Sequence, residues 1–242
     1  MSGKKTNPVT MEPTKNPGYK RVPANSSPGE SPSGNPACIP LTGSNSDKAA
    51  RLYREVFLAD EPTTHTRSPD PERFLHYAKL YTRFLAGKNL SFMARDERAQ
   101  TLAGFIFCVD MKESLESAGE WTTLIVEDFR EAMTMINELE NRYINLADIS
   151  PGSVLHIFQV GLGRKYRGHG IAQLLIHRAL ANAQENGFRK AFADCTNPAS
   201  RRSFERCGFH EVGFSSYEEF SLDGDRYFSE CEGGIWLMAR DI

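Results

Sequence analysis

A chain of 242 residues suits one domain of ordinary size, with a few dozen residues to spare. Apolar residues make up 40% of it and charged residues 25%, the profile of a soluble globular protein, and no run approaches the roughly 20 apolar residues that span a bilayer. A formal net charge of -2 excludes a general electrostatic attraction to nucleic acid or acidic lipid.

Residues 1–37 are dominated by Pro, Ser, Gly, Asn and Lys, so they lack the apolar surface that offsets ordering entropy and are expected to form a disordered tail. The tail has no apolar core of a secretory signal, and the five cysteines, at Cys38, Cys108, Cys195, Cys207 and Cys231, are odd in number and form no CxxC pair. Reduced thiols, a cytoplasmic location and no metal are the expectations.

A folded domain is expected over residues 38–242. Its first helix is legible in Ala49, Leu52, Tyr53, Val56 and Phe57, with Ser46 as the N-cap. A second helix starts at Pro71, carries Phe74, Tyr77, Ala78, Tyr81, Phe84 and Leu85, and stops at Gly87. Leu90–Ala94 and Thr101–Val109 read as antiparallel strands, and a long helix follows from Thr122 to Tyr143 with Ile125, Phe129, Met133, Ile136 and Leu139 on one face.

Strand Val154–Leu162, helix Gly170–Asn186 and strand Lys190–Cys195 have the length of a right-handed parallel β-α-β crossover. A short helix from Pro198 to Cys207 ends at Gly208. Strands are then predicted near Glu211–Phe214, Tyr217–Leu222 and Ile235–Ala239, with Asp223-Gly224 as a turn. The sum is an α+β fold with a mixed central sheet flanked by helices.

The richest stretch is Gly161-Leu-Gly-Arg-Lys-Tyr-Arg-Gly-His-Gly-Ile-Ala172, an apolar strand running through a basic, glycine-rich loop into a helix. Gly168 and Gly170 let successive N–H groups point at one spot, the helix start adds its positive dipole end, and Arg164, Lys165 and Arg167 surround it with charge. Such a turn grips a pyrophosphate. Neither GxxxxGK[ST] nor GxGxxG is present.

The Arg167-x-x-Gly170-x-Ala172 spacing resembles the acetyl-CoA pyrophosphate arm of the GNAT superfamily, and Asn197 to Phe209 resembles its closing helix. Phe57-Leu-Ala-Asp60-Glu61-Pro62, Glu185-Asn-Gly187, and Gly208-Phe-His-Glu-Val212 followed by Tyr217-Glu-Glu-Phe220 are similar to the insect-type arylalkylamine N-acetyltransferases. That resemblance implies a GNAT fold whose splayed parallel strands bind acetyl-CoA, with Gly161 and Gly163 at a bulge or close ligand approach. It implies an enzyme that acetylates an arylalkylamine or related small amine in a ternary complex, acting as a monomer or weak dimer; the alternatives are a GNAT enzyme for a polyamine, an aminoglycoside or a protein amine, and a non-catalytic acyl-CoA-binding module. Contacts to acetyl-CoA fall on Val160, Gly161, Leu162, Arg167, Gly168, His169, Gly170, Ile171, Ala172, Asn197 and Ser203.

The same resemblance makes Glu61 the general base. Asp60 and Glu61 follow the first helix, where the macrodipole disfavours negative charge, so local stability does not account for them. Thr196 and Ser200 match the hydroxyls that return a proton to the CoA sulfur, although hydroxyls at a helix start often serve only its backbone. Phe204 stands where vertebrate-type relatives have tyrosine, which removes a tyrosine acid. His156 reads as a core or groove residue, or as an alternative base. Tyr53, Phe57, Phe74, Tyr77 and Tyr81 fit either a core stripe or an aromatic pocket. A polycationic acceptor would require clustered carboxylates, whereas Asp60, Glu61, Glu218 and Glu219 are scattered along the sequence.

Overall fold

The computed structural model describes residues 36–113 and 119–242. The expected tail lies outside the described residues as far as position 35, but Ala37 already opens a strand, β1 (Ala37–Pro40). α1 (Ser46–Asp60) buries Ala49, Leu52, Tyr53 and Val56, the face its periodicity predicts. The N-cap position falls on Asn45 rather than Ser46 and carries no side-chain cap hydrogen bond, and the Ser46 hydroxyl donates back to the Gly43 carbonyl at 3.0 Å.

A six-residue helix, α2 (Pro62–Arg67), follows at once; too short for a periodic signal, it was not predicted. α3 (Pro71–Ala86) is capped by Asp70, whose carboxylate accepts from the N–H groups of Glu72 and Arg73. β2 (Phe92–Asp96) and β3 (Thr101–Asp110) pair antiparallel, as expected. α4 (Glu120–Tyr143) is bent at Phe129, whose φ of -130° leaves the helical range.

β4 (Val154–Leu162), α5 (Ile171–Glu185) and β5 (Lys190–Cys195) form the parallel crossover. α6 (Pro198–Arg206), β6 (His210–Ser216) and β7 (Gly234–Asp241) complete the chain. Tyr217–Leu222 is not a strand: Tyr217 and Phe220, three residues apart, turn inward together and stack around Phe228. The predicted turn at Asp223-Gly224 is present, with φ of 54° and 90°.

Among the described residues seven strands form one sheet in the order β1-β2-β3-β4-β5-β7-β6, in which β4 and β5 pair parallel. One face is covered by α5, whose Ile171, Leu175, Ile176 and Ala179 pack on Leu155, Ile157 and Ala193. α1 and α3 cover the other face with an aromatic cluster of Tyr53, Phe74, Tyr77 and Tyr81 against Phe105 and Phe107. Tyr53 lies 5.5 Å from both phenylalanine rings, nearly edge-on to each, the geometry that adds to the area effect of burial. The second half of α4 packs beside them on Val154, Phe192 and Leu237.

Close strand approach restricts one glycine in particular. A Cβ on Gly234 would overlap the Ser215 carbonyl of β6 and the Phe214 ring. Gly234→Ala is therefore expected to cost roughly 1–3 kcal/mol through overpacking against backbone, read as a lowered urea midpoint with unchanged slope.

Candidate active site

The site is built on the point where β4 and β5 part. Their parallel register ends at Ile157↔Ala193, yet β4 runs on to Leu162 while staying paired with β3. At the same place β4 gains a residue: Phe107 faces Gln159 and Cys108 faces Ile157, so Phe158 is bulged out of the ladder. The sequence allowed Gly161 and Gly163 either a bulge or a close ligand approach; the bulge lies at Phe158, and Gly161 is in the lining of the gap. Gly161 lies against the Phe105 ring, where a Cβ would overlap.

The gap opens a cavity of about 530 Å3. Of the fourteen residues that the sequence assigned to the site, thirteen line it: Glu61, Val160, Gly161, Leu162, Arg167, Gly168, Gly170, Ile171, Ala172, Thr196, Asn197, Ser200 and Ser203. His169 does not; it sits exposed on the turn.

The polar part of the lining is the β4–α5 turn. Gly168 and Gly170 adopt φ of 80° and 75°, and a Cβ on either would meet nothing, so the left-handed backbone and not space calls for glycine. That backbone aims the first N–H groups of α5 at the cavity, where no side chain caps them. Tyr166 anchors the turn by donating to Asp96 Oδ2 at 2.9 Å. Arg167 donates to the Leu162 carbonyl and, through Nη2, to Asp60 Oδ2 at 2.7 Å; Arg164 reaches Asp60 Oδ1 at 2.7 Å. Partial burial works against the Asp60 charge, but the two arginines outweigh it and hold its carboxyl below the ordinary value. Uncapped N–H groups and guanidinium donors suit the pyrophosphate of acetyl-CoA. Arg202 and Arg206 of α6 add positive charge to the same lining, which the sequence reading missed.

Glu61 corrects the sequence argument. It ends α1 but also caps α2, where Oε2 accepts from Thr64 N at 2.7 Å and Thr63 Oγ1 at 2.9 Å, and Oε1 from Thr63 N at 3.3 Å. The N-terminus of α2 therefore stabilises this carboxylate although it is only 8% exposed. Local structure thus explains both acids, Glu61 by its cap and Asp60 by its arginines. Oε1 makes only the longer of these contacts, and Glu61 belongs to the cavity lining.

On α6, Asn197 is the N-cap, accepting from Ala199 N and Ser200 N. The Ser200 hydroxyl donates to the Asn197 carbonyl at 2.8 Å and Ser203 to the Ala199 carbonyl at 3.0 Å, so both serve helix backbone as well as facing the cavity. The Thr196 carbonyl accepts from the buried Tyr217 hydroxyl at 2.8 Å.

The other part of the lining is apolar. Tyr53, Phe57 and Tyr77 border the cavity, whereas Phe74 and Tyr81 are core. Phe129, Met133 and Ile136 of α4 and Phe158 of the bulge complete the wall.

His156, which the sequence offered as a core or groove residue or an alternative base, lies at the root of the gap between two carboxylates that the sequence did not point to. His156 Nε2 is 2.7 Å from Asp194 Oδ2 and 3.3 Å from Glu140 Oε1, and Asp194 lines the cavity. Carboxylates that are scattered in sequence are thus gathered near the site, while Glu218 and Glu219 stay exposed outside it. Burial pulls the imidazole down, but the Glu140 charge and the Asp194 hydrogen bond prevail and raise it to about 9. Burial, reinforced by Asp194 and opposed by His156, pushes Glu140 up to about 7.

A family model for the acetyltransferase (GNAT) family matches residues 50–209. Arylalkylamine N-acetyltransferase 2 from Aedes aegypti superposes with a TM-score of 0.69 at 21% identity, covering 86% of this chain and 100% of its own. The C-terminal condensation domain of Ebony, in complex with beta-alanyl-dopamine, gives 0.71 at 17% identity over 85% of this chain and 98% of its own. A Drosophila melanogaster polyamine N-acetyltransferase that forms N-acetylagmatine gives 0.60 at 14% identity over 85% and 99%. At these identities the likeness carries the fold.

Both shifted groups at the root of the gap bind their proton more tightly in the folded chain than in the unfolded one. The stability they confer is fully present below their unfolded values and is lost as pH rises through about 7 for Glu140 and about 9 for His156. The melting temperature should accordingly fall across that interval, and a Glu140→Gln/His156→Gln double variant, followed by circular dichroism, should show a flatter profile.

Proposed function

The chain belongs to the acetyltransferase (GNAT) family, and from that premise we propose that it moves the acetyl group of acetyl-CoA to the primary amine of a small arylalkylamine, by direct attack in a ternary complex. The observation that carries this reading is the two-part lining of one cavity. A basic, N–H-rich turn stands on one side, an apolar aromatic wall on the other, and the Glu61 carboxylate belongs to the same lining.

A primary amine with a pKa near 10 is neutral in only about one molecule per thousand at pH 7, and only the neutral form attacks a thioester. Glu61 takes that proton on Oε1. The nitrogen then bonds to the thioester carbon, and the negative charge moves to the carbonyl oxygen. Backbone N–H groups of Val160 to Leu162, on the stretch of β4 that β5 no longer pairs, stabilise it. Collapse breaks the C–S bond, the attacking nitrogen gives up the proton it holds in excess, and that proton is relayed to the departing thiolate, leaving a neutral amide and free CoA thiol. Because the Ser200 proton is engaged by the Asn197 carbonyl, we assign this step to Thr196, whose backbone is fixed by Tyr217. Arg167, Gly168, Gly170, Ile171 and Ala172 hold the pyrophosphate, with Asn197 and Ser203 along the CoA arm.

Asp60 occupies the arginines that the pyrophosphate needs, and it directly precedes the base. Cofactor binding and the position of Glu61 are therefore mechanically linked through a single peptide unit.

Thiol release from acetyl-CoA, followed over tryptamine, tyramine, dopamine, spermidine and short peptides, should show turnover of the arylalkylamines. Glu61→Gln should lower kcat by about 10²–10⁴-fold with acetyl-CoA binding retained. Preference for spermidine or a peptide would overturn the acceptor class, and an unimpaired Glu61→Gln would remove the base.

Asp60→Asn removes the carboxylate that engages Arg167 in a partly exposed pair. Acetyl-CoA should bind about two- to fivefold more tightly to it by titration calorimetry, the equivalent of roughly 0.5–1 kcal/mol; weaker binding would mean that Asp60 organises the turn and does not compete for it.

A further inference from the structure

Three ionisable side chains from three separate elements converge at the root of the β4–β5 gap. Glu140 projects from the last turn of α4, His156 from β4 two residues before the bulge, and Asp194 from β5 one residue past its last pairing with β4. One donor atom from each lies within 4.8 Å of the other two. The side chains are 16%, 12% and 1% exposed, respectively.

Their hydrogen bonding does not balance. Both carboxylates address the same ring nitrogen, Asp194 Oδ2 at 2.7 Å and Glu140 Oε1 at 3.3 Å from His156 Nε2. A ring nitrogen carries one hydrogen at most, so it can satisfy only one of them. Glu140 Oε1 and Asp194 Oδ1 are buried with no hydrogen bond. With both acids ionised the triad leaves buried carboxylate oxygens without a donor, and it is balanced either by a proton held between Glu140 and Asp194 or by a cation in that proton's place.

An ammonium group would not resolve this, because it supplies donors to the carboxylates while pointing its own N–H at the imidazole N–H. A divalent cation accepts from all three at once. Donor atoms around a tetrahedral zinc stand roughly 3.3 Å apart, since Zn–N and Zn–O bonds run about 2.0–2.2 Å. The 3.3 Å between His156 Nε2 and Glu140 Oε1 already has that spacing, while the 2.7 Å to Asp194 Oδ2 is a hydrogen bond that must open by about 0.6 Å when its proton gives way to the metal. Two carboxylates cancel the charge of the ion.

We propose that Glu140, His156 and Asp194 form a zinc site, with His156 ligating through Nε2 and a fourth position open to water from the cavity. This runs against the sequence-based expectation of no metal. On binding, the Nε2 proton leaves to solvent and its lone pair takes the metal, so the site neither adds nor removes electrons. Zinc there ties α4 to β4 and β5 at the place where the two strands stop supporting each other, whichever amine is acetylated.

The test is equilibrium dialysis of the metal-free full chain against micromolar zinc, with bound metal counted by mass spectrometry. Wild type should retain one equivalent that His156→Ala and Asp194→Asn both lose, with circular dichroism and an acetyl-CoA-induced melting shift confirming that each variant is folded. X-ray absorption of zinc-loaded wild type keeps the test decisive if those variants do not fold. A shell of nitrogen and oxygen at about 2.0–2.1 Å is expected, while sulfur at about 2.3 Å would place the metal on cysteine and overturn the proposal. No zinc retained by wild type, or an equivalent surviving in either variant, overturns it as well.

Discussion

The molecule turns on one interruption: the ladder between β4 and β5 stops at Ile157 and Ala193, and the bulge at Phe158 prevents it from resuming. A sheet satisfies its backbone by pairing, so a stretch of β4 released from β5 has donors and acceptors to spend on something else. The interruption also reverses which residues face which way. Leu155 and Ile157 face α5, and by simple alternation Gln159 and Gly161 would follow them. Instead Gln159 accepts from the Tyr81 hydroxyl at 2.8 Å and Gly161 lies under Phe105, both on the aromatic side. One added residue thus opens the gap and seals the far half of β4 into the opposite core.

The second organising element is the tripeptide Asp60-Glu61-Pro62. Pro62 begins a helix with the φ it already has and without a donor to lose. The helix gives Glu61 the N–H groups that make burial of its charge tolerable, while Asp60 reaches the opposite wall. Neighbouring carboxylates therefore belong to different halves of the cavity. The short α2 is held at its far end by Arg67, which pairs with the buried Glu131 of α4 at 3.1 Å and covers the Tyr227 ring.

What the sequence made legible follows a physical pattern. Periodic helices, the β-α-β unit and the anion turn were readable because their causes are local: apolar spacing, caps and glycine backbone. The expected site residues converge on one cavity because most of them lie on that unit. Features with non-local or very short causes were not readable. α2 is too short to show a period. The segment Tyr217–Leu222 has the composition of a strand, but its aromatic residues are spaced for a turn. The gathering of Glu140, His156 and Asp194 depends on how α4 crosses the sheet, which no local signal encodes. The position of the bulge is equally silent in the sequence, because the extra residue is a phenylalanine, whereas Gly161, which fitted a bulge or a close ligand approach, lines the gap.

That extra residue has a bearing on how such a site can change over generations. A bulge is defined by a count of residues and not by what they are, so substitution at Phe158 alters the lining of the gap but leaves the frame of β4 intact. Deleting any one residue between His156 and Gln159 would do the reverse. Every later side chain of the strand would exchange faces, and the aromatic core and the glycine turn would both be addressed by the wrong residues. Drift by point changes can therefore retune what this cavity accepts, while its architecture is protected by a reading frame within the fold.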